Sequence, residues 1–89
     1  GAAGDFGPDY LLGPGDLIDI AVWKDETLTK SVIVLPDGKL SFPLIGEIRA
    51  AGRTVAQLKE EIKKKISPYA PDPTISVELF TLARARYKA

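Results

Sequence analysis

The chain has neither cysteine nor histidine among its 89 residues. Without cysteine there is no disulfide framework, no thiolate nucleophile and no thiolate metal site. Without histidine the chain lacks the usual general base near neutral pH, the base of a serine triad and the commonest zinc ligand. These two absences exclude most familiar hydrolase designs, and we predict that the chain is not an enzyme and has no catalytic residue, metal site or cofactor.

Net charge and long apolar runs are also missing. Twelve Lys and Arg residues balance twelve Asp and Glu residues, so bulk electrostatics give no support for binding nucleic acid or anionic lipid. No run approaches the roughly 18 to 20 apolar residues that a membrane-spanning helix needs. A chain of this length is expected to form one small domain, whose limited core would gain from burial against a partner.

The two ends of the chain show no regular pattern. Residues 1–9 mix Gly, Ala, Asp and Pro without a period, which predicts a flexible lead-in or a cloning remnant. We expect residues 10–80 to form the domain and residues 81–89 to begin a following segment of a longer protein.

A sharp turn is predicted at residues 13–16, just before the first strand. Pro14 presets the backbone angle at the second position of a type II turn, and Gly15 tolerates the positive φ required at the third. The turn leads into residues 17–23, where apolar and polar side chains alternate as in a half-buried strand. The core-facing side of this strand is predicted to carry Ile18, Ile20 and Val22. The polar residues 24–30 are predicted to form a projecting connector.

Two further strands, 31–35 and 39–42, are predicted to pair with each other as an antiparallel hairpin. Pro36-Asp37-Gly38 lies between them, and this composition suits a hairpin loop. Pro43 lacks the N–H that a ladder needs, so residues 44–48 are predicted to be either an edge strand or a bent continuation.

One amphipathic helix is predicted after Thr54, which has the right spacing to form a capping box with Gln57. Its apolar stripe recurs at three- and four-residue steps and comprises Val55, Leu58, Ile62 and Ile66. Ser67-Pro68 is predicted to end the helix, and residues 74–80 to form a last strand whose inward side chains are Ile75, Val77 and Leu79. The predicted fold class is α+β, a small mixed or antiparallel sheet with one packed helix, in the order β-β-β-α-β.

Several short motifs occur along the chain in a distinctive order. The first is Tyr10 followed by Leu12-Gly13-Pro14-Gly15-Asp16. The second is Asp37-Gly38 followed by Pro43-Leu44-Ile45-Gly46. The third is Ala51-Gly52-Arg53-Thr54 at the helix start, followed by Pro73, Ile75, Ser76 and Val77. In identity and spacing these motifs resemble the N-terminal domain of the polysaccharide biosynthesis/export family, the outer-membrane polysaccharide export proteins, over residues 10–80.

The resemblance implies a non-catalytic module of a ring-forming protein that carries capsule or exopolysaccharide across the cell envelope. It implies that the full protein is periplasmic, is associated with the outer membrane and forms a homo-oligomeric ring, octameric in the best-known case. The implied partners are an inner-membrane polysaccharide co-polymerase and the polysaccharide in transit, and nucleic acid is not among them. Residues 81–89 would then lead towards a β-grasp domain.

The motif residues are predicted to be mainly structural, because turn geometry alone accounts for residues 13–16. Trp23 lies opposite the core-facing side chains of its strand, so it is a candidate for subunit or sugar contact. We favour packing or subunit contact, since one aromatic without a pocket of polar partners is weak evidence for a sugar site.

Two alternatives to the ring module stay open at this point. One is a monomeric carbohydrate- or protein-binding module. The other is a carboxylate-based glycoside hydrolase, which we disfavour because adjacent acids such as Asp25-Glu26 and Glu60-Glu61 are not expected to share a cleft.

Overall fold

The computed structural model describes residues 7–70 and 73–80. Within them the elements, in chain order, are β1 Leu17–Val22, β2 Asp25–Ile33, β3 Lys39–Phe42, β4 Gly46–Arg49, α1 Val55–Ile66 and β5 Ile75–Phe80. The α+β class is confirmed. The order β-β-β-β-α-β has one strand more than predicted, because the chain turns back at Pro43 and residues 46–49 pair as a separate strand. The predicted segment 81–89 and most of the predicted lead-in 1–9 lie outside the described residues.

The larger sheet has the strand order β2-β1-β5, with both neighbours antiparallel to β1. Along β1 the residues alternate between half-buried and buried, as a strand with one face on the core must. The buried positions are the predicted Ile18, Ile20 and Val22. On β5, Ile75 and Leu79 are buried and Val77 packs against the same core, which confirms the predicted inward face of the last strand.

The register between β1 and β2 breaks close to the turn that joins them. Ile20 pairs with Lys30, whereas Val22 pairs with Asp25, so the single residue 21 faces the four residues 26–29. The predicted connector over 24–30 is therefore wrong, because most of this segment belongs to β2. Its polar composition reflects an irregular strand at the edge of the sheet, where side chains on both faces reach solvent.

The smaller sheet consists of β3 and β4, paired antiparallel from Lys39 opposite Arg49 to Phe42 opposite Gly46. The prediction that residues 31–35 pair with 39–42 as a hairpin ladder is wrong. The turn itself is present, because the Gly38 N–H donates to the Leu35 carbonyl at 2.8 Å and the Leu35 N–H donates to the Lys39 carbonyl at 2.8 Å. Beyond it the strands separate into different sheets.

The backbone of Val34 extends the pairing of β2 into the turn before β1. The Val34 N–H donates to the Asp16 carbonyl at 2.9 Å, and the Val34 carbonyl accepts from the Gly15 N–H at 2.8 Å. Both polar backbone groups of this residue are therefore satisfied by the turn before β1.

Helix α1 begins with the predicted capping box. The Thr54 hydroxyl accepts from the Gln57 N–H at 3.1 Å, and the Gln57 side-chain oxygen accepts from the Thr54 N–H at 2.9 Å. Three side chains of its stripe are fully buried and Val55 packs at the margin of the core; the buried three are Leu58, Ile62 and Ile66. Each such burial contributes about 1.5–3 kcal/mol, so this stripe fixes the helix on the sheets.

Two glycines with the same backbone conformation allow a matched test of close packing. Gly38 has φ +86° and Gly52 has φ +84°, but a Cβ at Gly38 would lie 2.8 Å from the Ala51 Cβ, while a Cβ at Gly52 would meet nothing within 4 Å. We expect Gly52→Ala to cost about 1–2 kcal/mol through its positive φ. Gly38→Ala should cost about 1–3 kcal/mol more through overpacking.

Urea denaturation of both variants and the parent chain measures these free energies of unfolding. Equal losses for the two variants would show that the approach of residue 38 to Ala51 does not matter.

Candidate functional site

Three of the sequence motifs meet in space through backbone hydrogen bonds. The Leu12 N–H donates to the Arg53 carbonyl at 2.8 Å and the Leu12 carbonyl accepts from the Gly52 N–H at 2.9 Å. The Gly38 carbonyl accepts from the amides of both residues 50 and 51, each at 2.9 Å. Together with the bonds of Val34, these contacts join residues 12–16, 34–38 and 50–53 into one cluster, which we call the motif junction.

Asp16 lies at the centre of the motif junction and is fully buried. Its carboxylate accepts from the Gly13 N–H at 2.9 Å, and the Tyr10 hydroxyl lies 3.2 Å from each carboxylate oxygen. It is the one buried polar or charged side chain among the described residues, and such a group is tolerated only when it is hydrogen-bonded. Tyr10 and Asp16 are therefore structural partners.

The turn at residues 13–16 has the predicted form. The Asp16 N–H donates to the Gly13 carbonyl at 3.1 Å, and Gly15 has φ +91°, as the third position of a type II turn requires. In the second motif, Asp37 accepts from the Lys39 N–H at 3.0 Å at an exposed position. The geometry of both motifs is that of turns.

Pro43-Leu44-Ile45-Gly46 lies away from the motif junction, at the other end of the β3–β4 pair. Leu44 and Gly46 both have positive φ, 71° and 72°, which reverses the chain within three turn residues. Ile45 packs against the core, whereas Leu44 is exposed. This motif therefore shapes a hairpin, and the structure does not bring it together with Tyr10, Asp16, Gly52 or Thr54.

Trp23 stands at the β1–β2 turn with 71% of its surface exposed. It lines a cavity of about 460 Å³ together with polar or small side chains that include Ala21, Asp25, Glu26, Thr29, Thr74 and Ser76. Sequence reasoning did not find these polar neighbours. The signal for part of them is the run of small and polar residues at the outward positions of β1 and β5, but their meeting also needs the pairing of β2 and β5 with β1.

A second cavity, of about 340 Å³, adjoins the first on the same sheet. It shares Ala21, Thr29 and Ser76 with the Trp23 cavity and extends to Asp19, Ser31 and Glu78. The Ser31 hydroxyl donates to the Asp19 carboxylate, and the Thr29 hydroxyl donates to the Asp25 carbonyl at 3.0 Å. Hydroxyls and carboxylates beside an exposed indole can bind an uncharged polar ligand.

Within residues 7–70 and 73–80, no group of three or more acidic side chains is placed to hold a metal ion. Glu61 lies 3.6 Å from the Lys65 ammonium group and 3.9 Å from the Arg53 guanidinium, so this acid belongs to ion pairs on the surface of α1. No helix in the described part of the chain is long and apolar enough to cross a membrane.

The chain belongs to the polysaccharide biosynthesis/export protein family, whose model matches residues 5–80. It is 35% identical over 66 residues, 74% of its length, to the polysialic acid transport protein KpsD of Escherichia coli. It is 29% identical over 79 residues, 89% of its length, to the EPS I polysaccharide export outer membrane protein EpsA of Ralstonia solanacearum. The matches span 12% of KpsD and 21% of EpsA, so the chain corresponds to a small part of either relative.

A further relative is the capsule polysaccharide export outer membrane protein CtrA of Neisseria meningitidis, 26% identical over 87 residues. That match covers 76% of the chain and 22% of CtrA. The resemblance inferred from the motifs is thus confirmed. The relatives export capsule and extracellular polysaccharides, and two of the three are named as outer membrane proteins.

Two aspartates of the motifs provide a test of the motif junction. Asp16→Ala removes a buried acceptor and leaves the Gly13 N–H and the Tyr10 hydroxyl without it, so we expect a loss of about 1.5–3 kcal/mol in the free energy of unfolding. Asp37→Ala removes an exposed acceptor and should change it by about 0.5 kcal/mol or less. The loss in the free energy of unfolding for Tyr10→Phe should fall between those of the two aspartate variants, because this change removes one donor and keeps the ring.

Thermal and urea unfolding of the three variants give this ranking directly. If Asp16→Ala unfolds no more easily than Asp37→Ala, the buried carboxylate does not stabilise the junction.

Proposed function

We propose that this chain is a non-catalytic module of a periplasmic polysaccharide export protein and forms one wedge of a homo-oligomeric ring. The observation that carries the proposal is that the family motifs have a structural role in the fold. Their buried carboxylate, Asp16, is held by Tyr10 and Gly13 inside the fold, so the motif residues build a rigid unit and leave no reactive group in a cleft. A rigid unit suits assembly.

The end of β2 offers a surface for contact between subunits. Ile33 and Leu35 are large apolar residues that remain 45% and 42% exposed. In the described sheet, β2 is an edge strand, and edge strands present backbone groups that a neighbouring chain can use. We propose that this part of the edge, around Ile33 and Leu35, takes part in ring contacts.

The proposal places the full protein in the periplasm in association with the outer membrane. The names of EpsA and CtrA, both outer membrane proteins, support this location. An inner-membrane polysaccharide co-polymerase is the proposed partner, an octamer is the ring size suggested by the family, and polysaccharide is the proposed cargo.

A monomeric carbohydrate-binding module is the second candidate, favoured by the exposed Trp23 beside a polar cavity. A glycoside hydrolase has less support. Paired acids in such enzymes face each other across the scissile bond, about 5–9.5 Å apart, whereas Asp25 accepts from the backbone N–H and hydroxyl of Thr27 within its own strand.

Sedimentation of the full-length protein distinguishes the ring from the monomer. We expect the protein to sediment as a closed multiple of the protomer mass. Ile33→Glu combined with Leu35→Glu should weaken association by about tenfold for each apolar side chain removed from the interface. Both side chains are partly exposed, so we expect the variant to fold, which its circular dichroism spectrum checks. Lys59→Glu, on the exposed side of α1, is the matched control and should assemble normally.

A full-length protein that stays at the protomer mass as its concentration rises would contradict the ring and favour the monomeric module. Normal assembly of the double variant would exclude the β2 end as a subunit contact.

A further inference from the structure

The outer face of the three-stranded sheet, opposite the core, has a floor of small and polar side chains. In the register of the sheet, Asp19 of β1 stands between Ser31 of β2 and Glu78 of β5, and Ala21 stands beside Ser76 of β5. Neighbouring positions of this kind share one face of the sheet. Because alanine and serine are short, the middle of the face is lower than its ends.

The two cavities on this face form one continuous groove. They share Ala21, Thr29 and Ser76, and the register break at residues 26–29 lies beside the groove at Thr29. Trp23 forms one end and Glu78 lines the other. The Trp23 N–H donates to the Thr74 carbonyl at 2.9 Å. This bond fixes the backbone that carries the indole.

The chemistry of the groove suits a sugar. An exposed indole gives a flat apolar surface for the C–H face of a pyranose ring, and carboxylates and hydroxyls beside it accept and donate hydrogen bonds. In the described part of the chain, the side chains of Ser76 and Glu78 are exposed and make no hydrogen bond or ion pair to another residue. They are therefore available to a ligand.

The groove fits a sugar better than it fits a protein surface. Protein interfaces have apolar cores that are depleted of charge, whereas Trp23 is the one large exposed apolar side chain lining these two cavities. Leu17 and Ile33, two further apolar residues of the outer face, pair at the far end of β1, outside the groove.

The charge of the groove selects among glycans. Its lining includes four carboxylates and two ammonium groups; these are Asp19, Asp25, Glu26 and Glu78 against Lys24 and Lys30. An excess of negative charge repels a polyanion. An uncharged polymer meets no such repulsion.

We propose that this groove binds a neutral hexopyranose segment of a polysaccharide, with Trp23 as the stacking platform and with Ser76 and Glu78 as hydrogen-bonding groups. The inference rests on the proposed function and deepens it, because it assigns the contact residues and the charge class of the glycan.

Titration of the ¹⁵N-labelled 89-residue chain with oligosaccharides, followed by amide NMR, tests the proposal. The probes are cellohexaose and maltohexaose as neutral hexamers and an α2,8-linked sialic acid hexamer as the anionic one. We expect the neutral hexamers to shift the Trp23 indole and the amides of Ala21 and Ser76, and to bind about tenfold more tightly than the sialic acid hexamer.

Substitutions in the groove separate stacking from charge. Trp23→Ala should weaken binding of the neutral hexamers by about tenfold or more, and because Trp23 is 71% exposed the melting temperature should change little. Tyr69→Ala is the matched control, since this aromatic residue is 61% exposed and lines neither cavity of the groove; it should bind normally. Glu78→Gln removes one negative charge from the groove, so it should reduce the difference in affinity between the neutral hexamers and the sialic acid hexamer.

Three results would overturn the groove proposal. The first is that neither neutral hexamer shifts these amides. The second is that the sialic acid hexamer binds more tightly than the neutral ones. The third is that the same amides shift with protein concentration when no sugar is present. The ring is tested independently, because Trp23→Ala in the full-length protein should leave its sedimentation unchanged. A full-length protein that is monomeric but still binds the neutral hexamers would contradict the ring proposal and support the groove proposal.

Discussion

The hydrogen bonds of the buried Asp16 carboxylate hold the turn at residues 13–16, and much of the architecture depends on where that turn lies. A buried carboxylate without donors would be too costly to keep in the fold, so Tyr10 and Gly13 have to stay beside it. With the turn in place, its backbone takes both polar groups of Val34. After Val34 the chain passes through the Pro36-Asp37-Gly38 turn into β3, which belongs to the smaller sheet.

The same turn region also fixes the start of the helix. Leu12 exchanges backbone hydrogen bonds with residues 52 and 53, directly before the Thr54 cap of α1. The buried stripe of α1 then covers the inner faces of the sheets. Among the described residues, the helix and the motif junction cover the inner side of β2-β1-β5, and the outer face carries Trp23 and the polar groove.

The elements that depend on short-range chemistry could be predicted from the sequence. The Thr54 capping box, the stripe ending at Ile66 and the alternation in β1 are set by neighbouring residues, and the type II turn follows from Pro14 and Gly15. The pairing of β2 could not be predicted, because it joins residues far apart in sequence, such as Val34 and Asp16. The groove was missed for the same kind of reason, since it needs β2 and β5 to pair with β1 from distant parts of the chain.

Native-state amide hydrogen exchange tests most directly the central claim that the motif junction makes the two sheets and the helix one cooperative unit. The amides of Leu12, Val34 and Gly52 all donate within the junction. The account predicts that they exchange only through the opening that also exposes β1, with protection free energies that converge on the free energy of unfolding. Exchange of these three amides through a local opening, while β1 stays protected, would contradict it.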